Sequence, residues 1–521
     1  MSASSQGRSA SRHVAIDLGA SSGRVIEVVV ESDRVSAVRE LHRFANGPVE
    51  SKRGQATGWT WPIESIWDGV LEGLRAAARE GDPIASIGID SWAVDYGLVD
   101  EHGELVAPVS AYRDPRTQAP MARLRAALGD DAIYAQTGVA FQPFNTLYQL
   151  AADAADPSRP LDRATRMLMV PDLLAHRLCG SLVCERTNAG TTQCYDTETD
   201  HGRGAWVESF AEAAGVPRRV LPEVVPAGTR LGTIRPSIAE ATGLDRSTPV
   251  LATASHDTAS AVAAAPIEEA GDVYVSSGTW SLVGVEVDRP IRTAAARRAG
   301  LTNEPGAHGA TRLLRNVAGL WILQECRRAF ESAGRRWTWA ALAEAAAGEP
   351  AFRSVIDPDD ARFAAPGLDM PERVRAWCGE HGEPLPDTDQ AITRTILDGL
   401  ALATADAARR VTSVAGMDLR RLAIVGGGAA NIMLARLIAE AAGVPVVLGP
   451  TEATAIGNAL VQHVALEGAT GRDAARAVRR LAATAHGAET RTIEPTGAGR
   501  HALAAAQTRL DAARTCETLP S

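Results

Sequence analysis

Two short turns rich in glycine and hydroxyl side chains have the composition of a polyphosphate-binding site. They lie at residues 17–24 and 276–281, and each follows an apolar, β-branched run. Glycine lets backbone N–H groups approach an anion, hydroxyl side chains add donors, and a carboxylate at a strand end can hold the water shell of Mg²⁺. Either turn alone is more simply interpreted as a polar hairpin turn. Together they predict two loops around one polyphosphate.

The scarcity of lysine limits how a nucleotide could be bound. Lys52 is the only lysine in the chain, and no G-x-x-x-x-G-K-[ST] string occurs. The first turn joins two predicted strands, 14–16 and 25–30, and therefore differs from the strand-to-helix P-loop. If ATP binds, its charge must be neutralised by Mg²⁺, backbone amides, hydroxyls and arginine, which is the solution of the actin-like nucleotide-binding fold.

Composition indicates a globular protein and disfavours several partners. The 521 residues are 45% hydrophobic and 22% charged, with a net charge of −10. This balance argues against nucleic acid or an anionic membrane as the main partner. The six cysteines form no C-x-x-C pair, which is typical of reduced thiols in a cytoplasmic protein. We expect neither a signal peptide nor a membrane span, because no long apolar run occurs.

Strand and helix patterns alternate along the chain, which favours an α/β fold. Polar groups follow the strand at 84–89, at a strand end of the kind where α/β sheets bind ligands. We place the domain transition near residues 249–266. The other predicted elements are strands at 167–170, 272–275 and 422–425, helices at 61–79, 171–178 and 389–415, a polar turn at 187–192, a Gly-rich loop at 426–431 followed by a helix to 442, and a helix that begins within 451–459.

Several strings together resemble the FGGY carbohydrate kinases, from about residue 13 to residue 468. The strings shared with the family are residues 15–24, 255–260, 277–281 and 425–428. Two strings favour the members of the family that act on L-rhamnulose, namely residues 143–150 and, from the shared set, 255–260. Further strings that support this choice are residues 42–44, 86–92, 111–114, 315–316, 319–321 and 357–363. One departure is Ala93, where the family has a glycine that contacts the sugar.

The resemblance implies a two-lobed, actin-like ATPase (ribonuclease H-like) α/β fold, with two α/β domains and a ligand cleft between them. The expected divisions are a disordered tail at 1–12, a sugar-binding and phosphate-loop domain at 13–256, a nucleotide-binding domain at 257–485 and a helical C-terminal extension at 486–521.

The resemblance also implies an activity. The γ-phosphoryl group of MgATP would pass to the 1-hydroxyl of a small ketose, L-rhamnulose being expected, in L-rhamnose catabolism. The alternatives are a kinase for another ketose or polyol, such as L-fuculose or D-xylulose, and a non-catalytic ATP-dependent sugar sensor on the same fold. ATP, Mg²⁺ and the ketose are the expected ligands, and the expected state is a monomer or homodimer.

Phosphoryl transfer to a hydroxyl needs positioning, charge neutralisation and a base. Asp257 is the candidate base, because it follows the strand 250–253 between His256 and Thr258 where the lobes should meet. By local sequence alone it could equally cap the helix that follows, and both roles can coexist.

The remaining site residues carry roles implied by the resemblance. The nucleotide and its metal would be bound by Asp17 (as the Mg²⁺ ligand), Ala20, Ser21, Ser22, Gly23, Arg24, Thr279, Gln324, Gly427, Gly428 and Asn431. For the last three, tight packing of a helix on a sheet is an equally good interpretation. The sugar would be bound by Trp92, Ala93, His256, Asp257, Thr258 and Asn316, with Asp95 less certain.

Overall fold

Strands and helices alternate as the sequence predicts. The computed structural model describes residues 10–53, 56–199, 202–485, 491–497 and 499–517. Up to residue 264 the strands are β1 (Ser11–Leu18), β2 (Ser22–Glu31), β3 (Arg34–Ala45), β4 (Val49–Arg53), β5 (Ala56–Thr60), β6 (Ile84–Ser91), β7 (Tyr96–Val99), β8 (Arg166–Met169), β9 (Cys184–Glu185), β10 (Tyr195–Asp196), β11 (Ala205–Trp206), β12 (Val224–Val225), β13 (Arg230–Thr233) and β14 (Pro249–Leu251). The α-helices there are α1 (Ile63–Arg79), α2 (Gln118–Leu128), α3 (Asp130–Thr137), α4 (Thr146–Ala154), α5 (Pro160–Arg163), α6 (Val170–Cys179), α7 (Arg186–Ala189), α8 (Glu208–Ala213), α9 (Pro236–Thr242) and α10 (Asp257–Ala263).

The second half of the chain carries longer helices. Its strands are β15 (Asp272–Ser277), β16 (Trp280–Val287), β17 (Thr302–Pro305), β18 (Thr311–Ala318), β19 (Arg421–Val425), β20 (Val446–Leu448) and β21 (Arg491–Ile493). Its α-helices are α11 (Ala294–Arg298), α12 (Trp321–Ser332), α13 (Trp339–Ala347), α14 (Met370–Glu380), α15 (Asp389–Ala415), α16 (Ile432–Ala442), α17 (Ala453–Leu466), α18 (Gly471–Ala482) and α19 (Arg500–Glu517). Short 3₁₀ turns occupy Pro115–Thr117, Arg218–Val220, Ala361–Phe363 and Gly427–Ala430.

The chain folds into two compact α/β units, and each is assembled from separate stretches. The first unit contains the chain up to Ala264, the segment Glu286–Leu313, and the stretch that begins at Glu452 and holds α17 and α18. The second unit contains Ala265–Val285, Leu314–Thr451 and the stretch with β21 and α19. The domain bounds given above, which are continuous in sequence, remain a prediction.

The first unit is built on a sheet with the strand order β13-β14-β6-β1-β2-β3. β1 runs antiparallel to β2 and parallel to β6, and β14 runs parallel to β6. Helix α1 covers this sheet because its apolar residues recur every three or four positions, a spacing that forms one helix face. The approach is close, since a Cβ added at Gly73 would lie 2.2 Å from a methyl carbon of Val25.

The sheet of the second unit contains the order β18-β16-β15-β19-β20-β21. β15 pairs antiparallel with β16, and the phosphate-type turn joins these two strands. β15 and β19 are parallel, so both strands end at the same edge of the sheet. That edge carries the turn after β15 and the Gly-rich loop after β19.

Several elements differ from the sequence-based expectations at their ends. β1 begins at Ser11, two residues before the expected start of the first domain, and residues 1–9 of the expected tail lie outside the described residues. The polar turn at 187–192 overlaps the short helix α7. In the C-terminal extension, the described residues form the strand β21 as well as the helix α19, and 486–490, 498 and 518–521 lie outside them.

The described residues include no helix with the length and apolar character needed to cross a membrane. Of the cysteines, Cys184, Cys194, Cys326 and Cys378 are buried free thiols, and Cys179 is a partly buried one.

Candidate functional site

The predicted site residues divide between the two units. The first unit holds those of the first phosphate turn and of the sugar group that precede Ala264, and the second unit holds the others. The second group is Thr279, Asn316, Gln324, Gly427, Gly428 and Asn431.

The first phosphate turn is a tight hairpin between β1 and β2, as predicted. The Gly19 N–H donates to the carbonyl of Ser22 over 2.9 Å, and the Asn46 side-chain amide donates to the carbonyl of Gly19 over 2.7 Å. A Cβ at Gly23 would lie 2.3 Å from the ring of Phe44. Packing alone therefore requires the glycine at position 23, while Gly19, Ala20 and Ser21 form the turn and Ser22 begins β2.

Asp17 and Arg24 face each other across this hairpin. They are register partners on β1 and β2, and Arg24 forms ion pairs with both Asp17 and Glu452. Asp17 is buried, whereas the Arg24 side chain is about one-fifth exposed, at 20%. Glu452, just before α17, was not singled out from the sequence. The Arg24 guanidinium is therefore held between two carboxylates, those of Asp17 and Glu452.

Two other carboxylates, those of Asp90 and Asp257, interact electrostatically with Asp17. Asp90 is the register partner of Asp17 on β6 and is fully buried, and Asn458 donates to its Oδ2 over 2.5 Å. Burial, followed by the charge of Asp17, holds the pKa of Asp90 well above its usual range. The same two causes raise the pKa of Asp257 to about 7. Asp257 is therefore near the pKa at which a general base works best at neutral pH.

The expected cap at Asp257 is wrong in its position. Helix α10 begins at Asp257 itself, and His256 is the residue before the first turn, without a capping hydrogen bond from its side chain. The Asp257 Oδ1 accepts hydrogen bonds from the backbone N–H and the hydroxyl of Thr258, at 2.5 Å and 3.0 Å. The side chain is 32% exposed, so its carboxylate can be reached by a ligand.

Glu185 anchors the segment that leads into Asp257. Its Oε2 accepts hydrogen bonds from the N–H and the hydroxyl of Ser255, at 3.0 Å and 2.9 Å, and also from Thr187. The Thr187 hydroxyl oxygen in turn accepts from the N–H of His256 over 3.0 Å. Sequence reasoning did not identify Glu185. The available signal was an acidic residue two positions before the polar turn 187–192.

Trp92 lies against a second tryptophan. The rings of Trp61 and Trp92 are 4.0 Å apart between centroids, and both indole N–H groups donate to Asp95 Oδ2, at 2.6 Å and 3.0 Å. Asp95 Oδ1 accepts from Gln149 over 2.9 Å. Both oxygens of this buried carboxylate accept hydrogen bonds from the protein, so Asp95 positions the two tryptophans, and its contact with a sugar stays a prediction. Ala93, next to Trp92, is partly exposed.

The Gly-rich loop of the second unit contains glycines with different constraints. A Cβ at Gly428 would lie 2.0 Å from the Ser277 hydroxyl, so tight packing explains this glycine. A Cβ at Gly427 would meet no described atom within 4 Å. The Asn431 side-chain oxygen caps α16 by accepting from the N–H of Leu434 over 3.0 Å. Gly427 is thus the position where a ligand can approach the backbone.

The second phosphate turn packs on the start of α12. The Leu320 N–H donates to the carbonyl of Gly278 over 3.0 Å, and a Cβ at Gly319 would lie 2.5 Å from the carbonyl of Thr279. Gln324 lies one turn further along this helix, and Asn316 is partly buried on β18, which leads into it. Local contacts therefore link the elements that carry Thr279, Asn316 and Gln324.

Two stretches of the chain match one known family. Residues 13–264 match the N-terminal domain, and residues 273–466 the C-terminal domain, of the FGGY family of carbohydrate kinases. The chain belongs to the FGGY family of carbohydrate kinases. Membership makes the protein an ATP-dependent sugar kinase and confirms the resemblance found from the sequence.

Similar curated proteins extend over most of this FGGY chain. A rhamnulokinase of Pectobacterium carotovorum subsp. carotovorum is 42% identical over 457 residues, which cover 87% of this chain and 88% of the relative. A rhamnulokinase of Pectobacterium atrosepticum is 41% identical and covers 88% of each chain. A rhamnulokinase of Yersinia pestis is 40% identical and covers 87% of this chain and 90% of its own.

Solved structures agree with the FGGY fold. Gluconate kinase from Lactobacillus acidophilus has a TM-score of 0.76 and 16% identity, and the match covers 98% of both chains. Plasmodium falciparum glycerol kinase with ADP has a TM-score of 0.73 and 14% identity, covering 98% of this chain and 99% of its own. At these identities the likeness concerns the fold alone, and it confirms the predicted α/β class with two sheet-containing parts.

Proposed function

We propose that this FGGY kinase transfers the γ-phosphoryl group of MgATP to the 1-hydroxyl of L-rhamnulose, which gives L-rhamnulose 1-phosphate and ADP in L-rhamnose catabolism. The observation that carries the proposal is the Asp257 carboxylate, partly exposed beside His256 and with a pKa raised to about 7. The relatives that are 40–42% identical over nearly the whole chain support the choice of sugar.

In this proposal Asp257 is the general base. Its carboxylate takes the proton of the 1-hydroxyl as that oxygen bonds to the γ-phosphorus, while the bond to the β–γ bridging oxygen breaks and ADP leaves. His256 and Thr258 flank the base and hold the sugar, together with Trp92, Ala93 and Asn316. Arg24 stabilises the charge on the transferred group from its position beside Asp17.

Oxygen ligands for a hydrated Mg²⁺ are available around Asp17. Mg²⁺ is usually bound through one or two carboxylates, with waters and substrate phosphates as its other ligands. Asp17 fits this requirement, and Asp90 Oδ1 is a buried carboxylate oxygen without a hydrogen-bond partner among the described residues. No group of three metal-ligating side chains that could enclose an ion occurs in the described part of the chain. When bound, Mg²⁺ would neutralise charge on the β- and γ-phosphates.

The residues proposed for the nucleotide lie on the two phosphate turns and the Gly-rich loop, and Gln324 is added by its likeness to the family alone. Ala20, Ser21, Ser22 and Gly23 offer backbone and hydroxyl donors at the first turn, and Thr279 does so at the second. Gly427 admits the nucleotide to the loop before α16, with Gly428, Asn431 and Gln324 shaping its surroundings. A cytoplasmic location and a monomeric or homodimeric state are part of the proposal.

The ionisation of Asp257 predicts a pH dependence. A base is active when unprotonated, so kcat/KM for the sugar should rise with pH and level off above about pH 7, the value to which burial and Asp17 raise the pKa of Asp257. Initial rates at saturating MgATP, from about pH 5.5 to 8.5, measure this. A flat profile of the wild-type enzyme, measured under conditions in which the chemical step limits the rate, would contradict the assignment.

A substrate panel tests the proposed function. ADP release should be fastest, by kcat/KM, with L-rhamnulose, and slower with L-fuculose, D-xylulose and glycerol. Selectivity among these sugars depends on contacts worth about 1–3 kcal/mol each, or about 10- to 200-fold in kcat/KM. A preference for another ketose would establish the alternative kinase. No sugar-dependent ADP release with any of them would favour the non-catalytic sensor.

A further inference from the structure

Arg312 is a fully buried arginine next to His256. It lies on β18, and its Nη2 is 3.0 Å from the Nδ1 of His256 and 2.9 Å from the Oε2 of Glu304. Its Nε donates to the carbonyl of Pro305 over 3.2 Å. A guanidinium has only donors and stays protonated in proteins. The Nδ1 of His256 must therefore be the acceptor in this contact, which requires that it carries no proton.

The His256 ring is neutral in this environment. Burial, and after it the positive charge of Arg312, holds the pKa of His256 well below its usual range. A neutral imidazole carries one proton, and with Nδ1 excluded that proton is on Nε2. The Nε2 of His256 lies 3.5 Å from the Oδ1 of Asp257. The ring thus presents a donor on the side of the base.

Without Arg312, Glu304 would favour a His256 ring that carries its proton on Nδ1. Its Oε2 is 3.4 Å from the Nδ1 of His256, and a carboxylate at that place attracts a proton on Nδ1. With the proton there, a bare Nε2 lone pair would face the Asp257 carboxylate, and two acceptors would oppose each other. Arg312 prevents this because it pairs with Glu304 and offers its own N–H to Nδ1.

We propose that Arg312 is a positioning residue that fixes the tautomer of His256, so that Nε2–H is available to donate to a hydroxyl of the bound sugar beside Asp257. This rests on the proposed function only for the identity of that sugar. Sequence reasoning did not identify Arg312 or Glu304. The available signal was a charged residue directly before the two leucines Leu313 and Leu314.

The tautomer can be measured in the full-length enzyme by ¹⁵N and ¹³C NMR of protein labelled at its histidines. The signals of His256, one of 11 histidines, are assigned by their loss in His256→Gln. At about pH 7.5 the wild-type ring should show a protonated Nε2 and an unprotonated Nδ1. Arg312→Met should transfer the proton from Nε2 to Nδ1, on the side of Glu304. Arg312→Lys, which keeps a cationic donor, should retain the wild-type pattern.

Glu304→Gln is the matched control, because it leaves an oxygen acceptor for Arg312 and the contact of Arg312 with His256. It should keep the proton on Nε2, and it tests the proposal even if Arg312→Met does not fold. A wild-type ring protonated on Nδ1, an unchanged tautomer in folded Arg312→Met, or a proton that moves in Glu304→Gln would each overturn the proposal.

Kinetics separate this role from a general loss of structure. Arg312→Met should raise KM for the sugar about 10-fold, because one donor to the sugar becomes an acceptor, with KM for ATP unchanged. Equal increases in both KM values, or no increase in either, would contradict the proposal. If the wild type carries the Nε2–H tautomer but phosphorylates a ketose other than L-rhamnulose, the proposed substrate fails and the role of Arg312 stands.

Discussion

Replacing Asp257 by asparagine should lower turnover with L-rhamnulose by about 10²–10⁴-fold, the usual contribution of a general base. Asparagine keeps the size of the side chain but cannot take the proton of the 1-hydroxyl. Affinity for ATP should remain, because the nucleotide is assigned to other residues. Steady-state rates and ATP binding by calorimetry measure the two effects.

Protein stability provides the control for this variant. The folded-state pKa of Asp257, about 7, lies above the ordinary carboxyl value, so the folded state loses stability as pH rises from that ordinary value toward 7. The asparagine of the Asp257→Asn variant does not ionise, so the variant should unfold at pH 8 at a temperature no lower than that of the wild type. Asp245→Asn, at an exposed turn of the same unit, should retain full activity. Near-normal turnover in Asp257→Asn would remove the base assignment.

Replacing Asp17 by alanine should reduce turnover by about 10²–10⁴-fold, since charge stabilisation by a bound metal contributes several kcal/mol to the transition state. KM for the sugar should change little, because Asp17 is assigned to the metal. Excess EDTA should abolish activity of the wild type, and added Mg²⁺ should restore it. Undiminished phosphorylation in EDTA, or wild-type turnover in Asp17→Ala, would contradict a role for Asp17 in metal binding.

Features encoded by neighbouring residues were predictable from the sequence. Helix α15 occupies residues 389–415 as predicted, because Thr388 caps its first turn and Gly416, with φ of 67°, ends it. The first hairpin was predictable in the same way, from two β-branched runs joined by a Gly/Ser turn. In both cases the signal and the structure lie within a few residues of each other.

Contacts between distant residues had no such local signal. Trp61 pairs with Trp92, Glu185 holds Ser255, and Arg312 meets His256 only once the chain has folded. Each pair joins residues separated by tens of positions, and neither member reveals its partner by periodicity. Likewise, nothing near Asp95 in the sequence indicates that its carboxylate accepts hydrogen bonds from Trp61 and Trp92.

A glycine-rich string does not by itself show which of its residues bind a ligand and which are needed for packing, as Gly427, Gly428 and Asn431 illustrate. Sequence alone left nucleotide binding and tight packing open for all three. The structure explains Gly428 by packing against Ser277 and gives the Asn431 side-chain oxygen a capping role, while the space at Gly427 is open. Close approach of a ligand to the backbone is thus best tested by Gly427→Ala, which should weaken ATP binding without lowering stability.

The position of the phosphate on the product tests the central claim most directly. The enzyme is incubated with MgATP and L-rhamnulose labelled with ¹³C at carbon 1, and the products are followed by ¹³C and ³¹P NMR. We expect one sugar phosphate per ADP, with the carbon-1 signal split by phosphorus, and the same product formed about 10²–10⁴-fold more slowly by Asp257→Asn. A phosphate attached at another carbon, or ADP formed together with inorganic phosphate and unchanged sugar, would contradict the account.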